Sequence, residues 1–161
     1  MTQKNRPLVS SLSDEQYMEM ALALAREAFC RGEVPIGALL VREGEILARG
    51  YNRREALQDA TAHAEILVLR EAGARLGSWR LLGTTLYVTL EPCPMCAGAL
   101  VQARVARLVY GARDPKGGAA GTLYNIPADP RLNHRLEIKE GVLQERCAAL
   151  LREFFQARRE T

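Results

Sequence analysis

Two short segments place chemically active side chains at informative spacings. One is His63-Ala64-Glu65 and the other is Pro92-Cys93-Pro94-Met95-Cys96. One imidazole and two thiols make a soft donor set suited to tetrahedral zinc, and three protein ligands leave a fourth position for water, as a catalytic zinc requires. Soft sulfur and nitrogen donors favour zinc but admit other metals. Cys93 and Cys96 are three apart, so their sulfurs can meet on one side of a first helical turn. The positive end of that helix favours the thiolate, the form that binds metal. His63 and Glu65 are two apart and would diverge in mid-helix. At a helix start both can reach past the end toward one point. A carboxylate there need not ligate: it can take a proton from metal-bound water, whose pKa zinc lowers to about 7.

Two other uses of these residues stay open. A Cys-x-x-Cys pair can be a redox centre, although that leaves His63 and Glu65 without a task. A closed structural zinc site needs a fourth protein ligand. Cys30 and Cys147 are the candidates, yet both read as core thiols. His134 reads as a loop or surface residue.

The elements that must position these groups are legible in outline. Ser13, with Gln16 three residues on and Asp14 and Glu15 between, predicts a capped helix whose face is Met18, Ala21, Ala25 and Ala28, ended by Gly32. Ile36–Arg42 and Glu45–Tyr51 predict strands joined at Glu43-Gly44. Asp59 and Thr61 offer caps for a helix running to about Arg75. Thr84–Leu90 alternates as a strand does, Pro94 suits the first turn of a helix to about Ala103, and Leu108–Gly111 predicts a short strand. Strand–helix–strand over 84–111 implies parallel pairing with a right-handed crossover. Residues 113–130, rich in Gly, Pro, Ala and Asp, predict a long functional loop. Leu136–Lys139 suggests a further strand, and Val142–Arg159 a final helix with Cys147, Leu150, Leu151, Phe154 and Phe155 on its apolar stripe. The expected class is α/β, one mixed sheet with helices on both faces.

The chain has 161 residues, the length of one domain. We expect a frayed arm over 1–12 and a single domain over 13–161. With 48% hydrophobic and 25% charged residues it is neither disordered nor a fibrous rod. No apolar run is long enough to span a bilayer, and the opening residues carry no secretory h-region, so a cytoplasmic location with reduced cysteines is expected. The first 45 residues carry net −2 and the rest net +5. Arg104, Arg107, Arg113 and Lys116 cluster, followed by Arg131, Arg135, Lys139, Arg158 and Arg159. Such a surface suits either a polyanion or plain solvent.

His-x-Glu followed by Pro-Cys-x-x-Cys resembles the zinc-dependent nucleoside and nucleobase deaminases. The stretches starting at Gly32, Asp59, Thr85, Tyr110 (GARDPKGGAAGTLYN) and Asn133, with the terminal EFFQARR, resemble the bacterial tRNA-specific adenosine deaminase branch over about residues 13–160. That resemblance implies a cytidine-deaminase-like three-layer α/β/α sandwich with a five-stranded mixed sheet, and a homodimer. It implies hydrolytic conversion of adenosine to inosine at the wobble position, A34, of a tRNA anticodon stem-loop such as that of tRNA-Arg. His63, Cys93 and Cys96 would hold one Zn²⁺ per subunit, and Glu65 would shuttle the proton. Substrate contacts would come from Asn52, Arg80, Asp114, Lys116, Asn133, Phe155 and Arg159, with Val34 and Pro35 in the pocket wall. For Asn52 a turn position after a strand, for Asp114 a helix or loop cap, for Arg80 stacking on its neighbour Trp79, and for Val34 and Pro35 ordinary packing, are rival uses. The zinc motifs alone fit a free-base or nucleoside deaminase acting on guanine, cytosine or cytidine equally well. They also admit a non-catalytic zinc-stabilised RNA-binding subunit, although such a subunit could dispense with Glu65.

Overall fold

Ser13 opens the first helix with a complete capping box. Its side chain accepts from the Gln16 backbone N–H at 3.2 Å, and the Gln16 side-chain oxygen accepts from the Ser13 N–H at 2.8 Å. Helix α1 (Asp14–Cys30) buries Tyr17, Met18, Ala21, Leu22, Ala25 and Ala28. The computed structural model describes residues 12–159; the expected arm lies outside these apart from Leu12.

Strands β1 (Gly37–Arg42) and β2 (Glu45–Tyr51) form the expected hairpin. Glu43 and Gly44 both take positive φ, 51° and 77°, the twist that a two-residue hairpin needs. A bulge beside Leu40–Val41 lets consecutive residues Leu47 and Ala48 both face the core. The chain continues through α2 (Arg54–Leu57), α3 (Ala64–Leu76), β3 (Thr85–Leu90), α4 (Pro94–Gln102), β4 (Arg107–Ala112), β5 (Glu137–Lys139) and α5 (Gln144–Arg159). The four-residue α2 is unforeseen by the sequence reading: none of its residues is buried, so no apolar pattern announces it.

The five strands lie in the order β2-β1-β3-β4-β5. β1 runs antiparallel to β2 and β3, whereas β3, β4 and β5 are parallel. Alternate strand residues feed two cores. Leu40, Leu86, Val88, Leu108 and Tyr110 pack with Val68 and Ala72 of α3 and Leu100 of α4. Leu39, Tyr87 and Val109 pack with Met18 and Leu22 of α1 and Cys147 of α5. The result is a three-layer α/β/α sandwich around a mixed sheet. Because α3 and α4 share one layer and the β3–α4–β4 crossover is parallel, the segment leaving β3 enters α4 beside the start of α3.

Asp14 fastens the other end of the sheet. Its carboxylate accepts from Tyr87 at 2.7 Å, from Arg107 at 2.9 and 2.8 Å, and from Lys139 at 2.8 Å. The Arg107 guanidinium holds the Asp14 carboxyl well below the usual carboxylate range. A depressed folded-state pKa gives stabilisation that is present above the unfolded value of about 3.9 and lost as the pH falls below it. Asp14→Asn should therefore destabilise the fold at neutral pH by about 2 kcal/mol in urea titrations. The gap between wild type and variant should narrow as the pH is lowered from about 4 to about 2.

Candidate active site

Two helix N-termini converge to make the site. His63 is the N-cap of α3 and Cys93 the N-cap of α4, both with extended backbone (φ −73° and −72°), and neither side chain caps its own helix. Both are thus left to face outward from the helix ends. Pro94 occupies the first turn of α4, where no N–H is required, and Cys96 follows one turn on. Asp59 and Thr61 do not cap the helix as expected. Asp59 instead accepts from the Thr61 N–H (2.8 Å) and hydroxyl (2.7 Å), making a turn that leads to His63. The helix starts later, at Ala64, because this loop is needed to bring His63 to its end.

The His63 Nδ1 lies 3.6 Å from the Cys93 Sγ and 3.5 Å from the Cys96 Sγ, and the three donor atoms all lie within 4.8 Å of one another. Zinc bonds of about 2.3 Å to sulfur and about 2.0 Å to nitrogen in a tetrahedron require donors about 3.6 Å apart. The trio therefore fits the ion in spacing as well as in chemistry. Among the described residues no fourth His, Cys, Asp or Glu joins the trio. Cys147 is buried beneath Gly111, where a Cβ would meet its sulfur at 2.4 Å, so it is the core thiol expected. Cys30 departs from that expectation: it is exposed, because the last turn of α1 rotates it off the buried face.

Burial and mutual contact set the electrostatics. The Cys96 thiol hydrogen-bonds Cys93 and pulls the latter's pKa well below the ordinary thiol value, with His63 adding to the effect. The same contact and burial push Cys96 up. His63 is raised by its hydrogen bond to Cys93. Glu65, 4% exposed in the first turn of α3, is raised chiefly by burial, and its carboxyl reaches the Cys96 thiol. A carboxyl held in a dry site beside the donor trio is placed to accept and return a proton.

The other anticipated residues separate into two groups. Asn52 is buried, donates to the Val34 carbonyl (3.3 Å) and accepts from the Arg54 N–H (3.1 Å). With Val34, Ile36, Arg54, His63 and Ala64 it lines a cleft of about 70 Å³. The loop after β4 comes alongside, since the Ala119 N–H donates to the Pro92 carbonyl at 2.8 Å. In that loop Asp114 accepts from the Lys116 and Gly117 N–H groups, while the Lys116 side chain is exposed. Arg158 donates to the Gly32 carbonyl, which brings the end of α5, with exposed Phe155 and Arg159, near the chain entering the cleft. Phe154 is core, edge-on to Phe29.

Arg80 and Asn133 fall elsewhere. The guanidinium of Arg80 stacks over Trp79, 4.2 Å from the ring centroid, and the next residue, Leu81, donates to Ala103. Asn133 precedes His134, whose ring bonds the Val105 carbonyl at 2.7 Å and so is an anchor rather than a free surface group. Both positions lie before the strands begin, a strand length of about 20 Å from the donor trio.

Two buried carboxylates escaped the sequence reading. Glu33 accepts from the Glu55 and Ala56 N–H groups, each at 2.9 Å, and so holds α2 beside the cleft. Glu91, immediately before Pro92-Cys93, is bonded by the loop that carries Asp114. The one available signal was a charged residue at the end of an otherwise apolar strand.

The MafB19-like deaminase family model matches residues 12–159. A tRNA-specific adenosine deaminase of Bacillus subtilis is 56% identical over 147 residues, covering 91% of each chain. The chain belongs to this deaminase family. A structure from work on A-to-I editing by tRNA:A34 deaminases superposes with a TM-score of 0.81 at 49% identity, covering 84% of this chain and 98% of the other. A guanine deaminase from Nitrosomonas europaea shares the fold at a TM-score of 0.78 but only 28% identity, covering 89% and 86%. The fold is thus common ground, while the higher identity lies with the tRNA enzymes.

Proposed function

We propose that this chain is a zinc-dependent tRNA adenosine deaminase that converts A34 of an anticodon stem-loop, such as that of tRNA-Arg, to inosine. The observation that carries the reading is the His63–Cys93–Cys96 trio with buried Glu65 beside it, in a chain 56% identical to a tRNA-specific adenosine deaminase. Residues 13–161 act as one zinc deaminase domain, and the protein works in the cytoplasm where tRNA is available.

His63, Cys93 and Cys96 would hold one Zn²⁺ per subunit. Bound zinc supplies Lewis acidity that makes water a nucleophile at neutral pH. Glu65 takes a proton from the attacking water and delivers it to N1 of adenine as C6 is attacked. It then takes the proton of the new hydroxyl on C6 and passes it to the exocyclic nitrogen; the C6–N bond breaks, C6=O forms and ammonia leaves. Asn52 orients the base or its sugar in the cleft. Lys116 and Arg159 contact phosphates, Phe155 stacks on a flanking base, and Asp114 shapes the loop that meets the RNA. Arg80 and Asn133 are too remote to touch A34 in their own subunit. They would contact parts of the stem-loop away from that base.

Zinc-loaded protein is expected to convert A34 in a tRNA-Arg stem-loop to inosine, read as A-to-G on sequencing. No conversion overturns the proposal, and turnover of free guanine or cytosine in its place would move the chain to the small-molecule deaminases. Stem-loop affinity should also fall steeply with added salt.

A further inference from the structure

Glu91 occupies an unusual position. It is 2% exposed, no Lys, Arg or His hydrogen-bonds its carboxylate among the described residues, and it directly precedes the Pro92-Cys93 donor segment. One carboxylate oxygen accepts from the Asp114 N–H at 3.1 Å and from the Thr122 hydroxyl. The other accepts from the Ala120 N–H at 3.0 Å and the Thr122 N–H at 3.1 Å. Every donor comes from one loop, residues 114–122. Gly118 of that loop lies against the same group: a Cβ there would meet the carboxylate carbon at 2.4 Å. The loop has been closed around a buried carboxyl group that sits at the end of β3.

We propose that Glu91 is a positioning residue that fixes the 114–122 loop in register with the Cys93–Cys96 segment, so that RNA is held at the correct height over the reacting centre. The proposal rests on the tRNA-deaminase reading given above. The geometry makes the role specific to a carboxylate. A glutamine has the same shape, but its amide nitrogen must replace one of the two oxygens. Turned toward Ala120 and Thr122, it opposes two backbone N–H groups. Turned the other way it opposes the Asp114 N–H, while the Thr122 hydroxyl can rotate to accept. The second arrangement is less costly, and it severs the link to Asp114. Lys116 then loses its fixed approach, because Asp114 organises the turn that carries it through the Lys116 and Gly117 N–H groups.

Glu91→Gln is compared with wild type on the A34 stem-loop, with zinc content, thermal midpoint and amide hydrogen exchange measured on the same preparations. Leaving one buried donor unpaired should raise KM about tenfold. The value of kcat should stay within about threefold, since Glu65 and the zinc ligands are untouched. Exchange should quicken in 114–122 and remain slow in β3 and β4. Thr122→Val removes the hydroxyl donor alone and should raise KM about threefold; it also serves as the test if Glu91→Gln does not fold. An unchanged KM, or a fall in kcat with KM constant, overturns the positioning role. So does loss of zinc with loop exchange unaltered, which would assign Glu91 to the metal segment instead. A wild-type protein inactive on the stem-loop would overturn the functional reading, while the exchange result would still decide whether Glu91 holds the loop.

Discussion

Glu65→Gln is expected to reduce kcat on the A34 stem-loop by at least about a thousandfold, roughly 4 kcal/mol of transition-state stabilisation. The size follows from the repeated use of one group. In the proposed reaction the same carboxyl removes a proton from water, protonates N1 and protonates the departing nitrogen, and glutamine can do none of these. KM should change little, because the amide preserves shape and the cleft walls are other residues. Stability should be unchanged or slightly increased. Burial already raises the Glu65 pKa, so the fold bears a cost for holding a carboxylate there that a neutral amide does not incur. Stopped-time sequencing of the RNA, zinc analysis and a thermal melt on one preparation check all three. Retained turnover in a zinc-loaded variant would remove Glu65 from the proton path.

The second large effect concerns the metal. Chelation should abolish activity, and stoichiometric Zn²⁺ should restore it. The expected stability change follows from linkage. At a free zinc level a thousandfold above Kd, binding contributes about 4 kcal/mol, which for a domain of this size lowers the melting temperature by roughly 10 °C when removed. Cys96→Ser should abolish turnover and erase the zinc-dependent shift. Cys96 is fully buried with its sulfur 3.5 Å from the His63 Nδ1, so a hydroxyl there is a poor donor at a fixed distance and the other two ligands cannot close around the ion. Cys30→Ser, at the exposed end of α1, should leave the zinc shift intact. A zinc-dependent shift that survives in Cys96→Ser would mean that the ion binds elsewhere.

The two effects differ in kind. The metal ligands contribute both to the fold and to the reaction, whereas Glu65 contributes to the reaction against the fold. Activity and melting temperature should therefore fall together in Cys96→Ser and part company in Glu65→Gln.

Several elements were readable from the amino-acid order because their causes are local. The Ser13–Gln16 capping box, the Glu43-Gly44 turn and the β3–α4–β4 run depend on neighbours in the chain, and each forms where the pattern put it. The donor types were readable too, since few side chains bind zinc and the Cys93–Cys96 spacing suits one helical turn. Tertiary structure decided the rest. It joined His63 to Cys93 across 30 residues by starting two helices at one end of the same layer. It moved the start of α3 to Ala64, formed α2 with no apolar signal, and put Arg80 and Asn133 at the far end of the strands. Glu33 and Glu91 were invisible for a common reason. Most of their partners are backbone N–H groups, which every residue but proline carries, so only the path of the folded chain reveals which ones a buried carboxylate will gather.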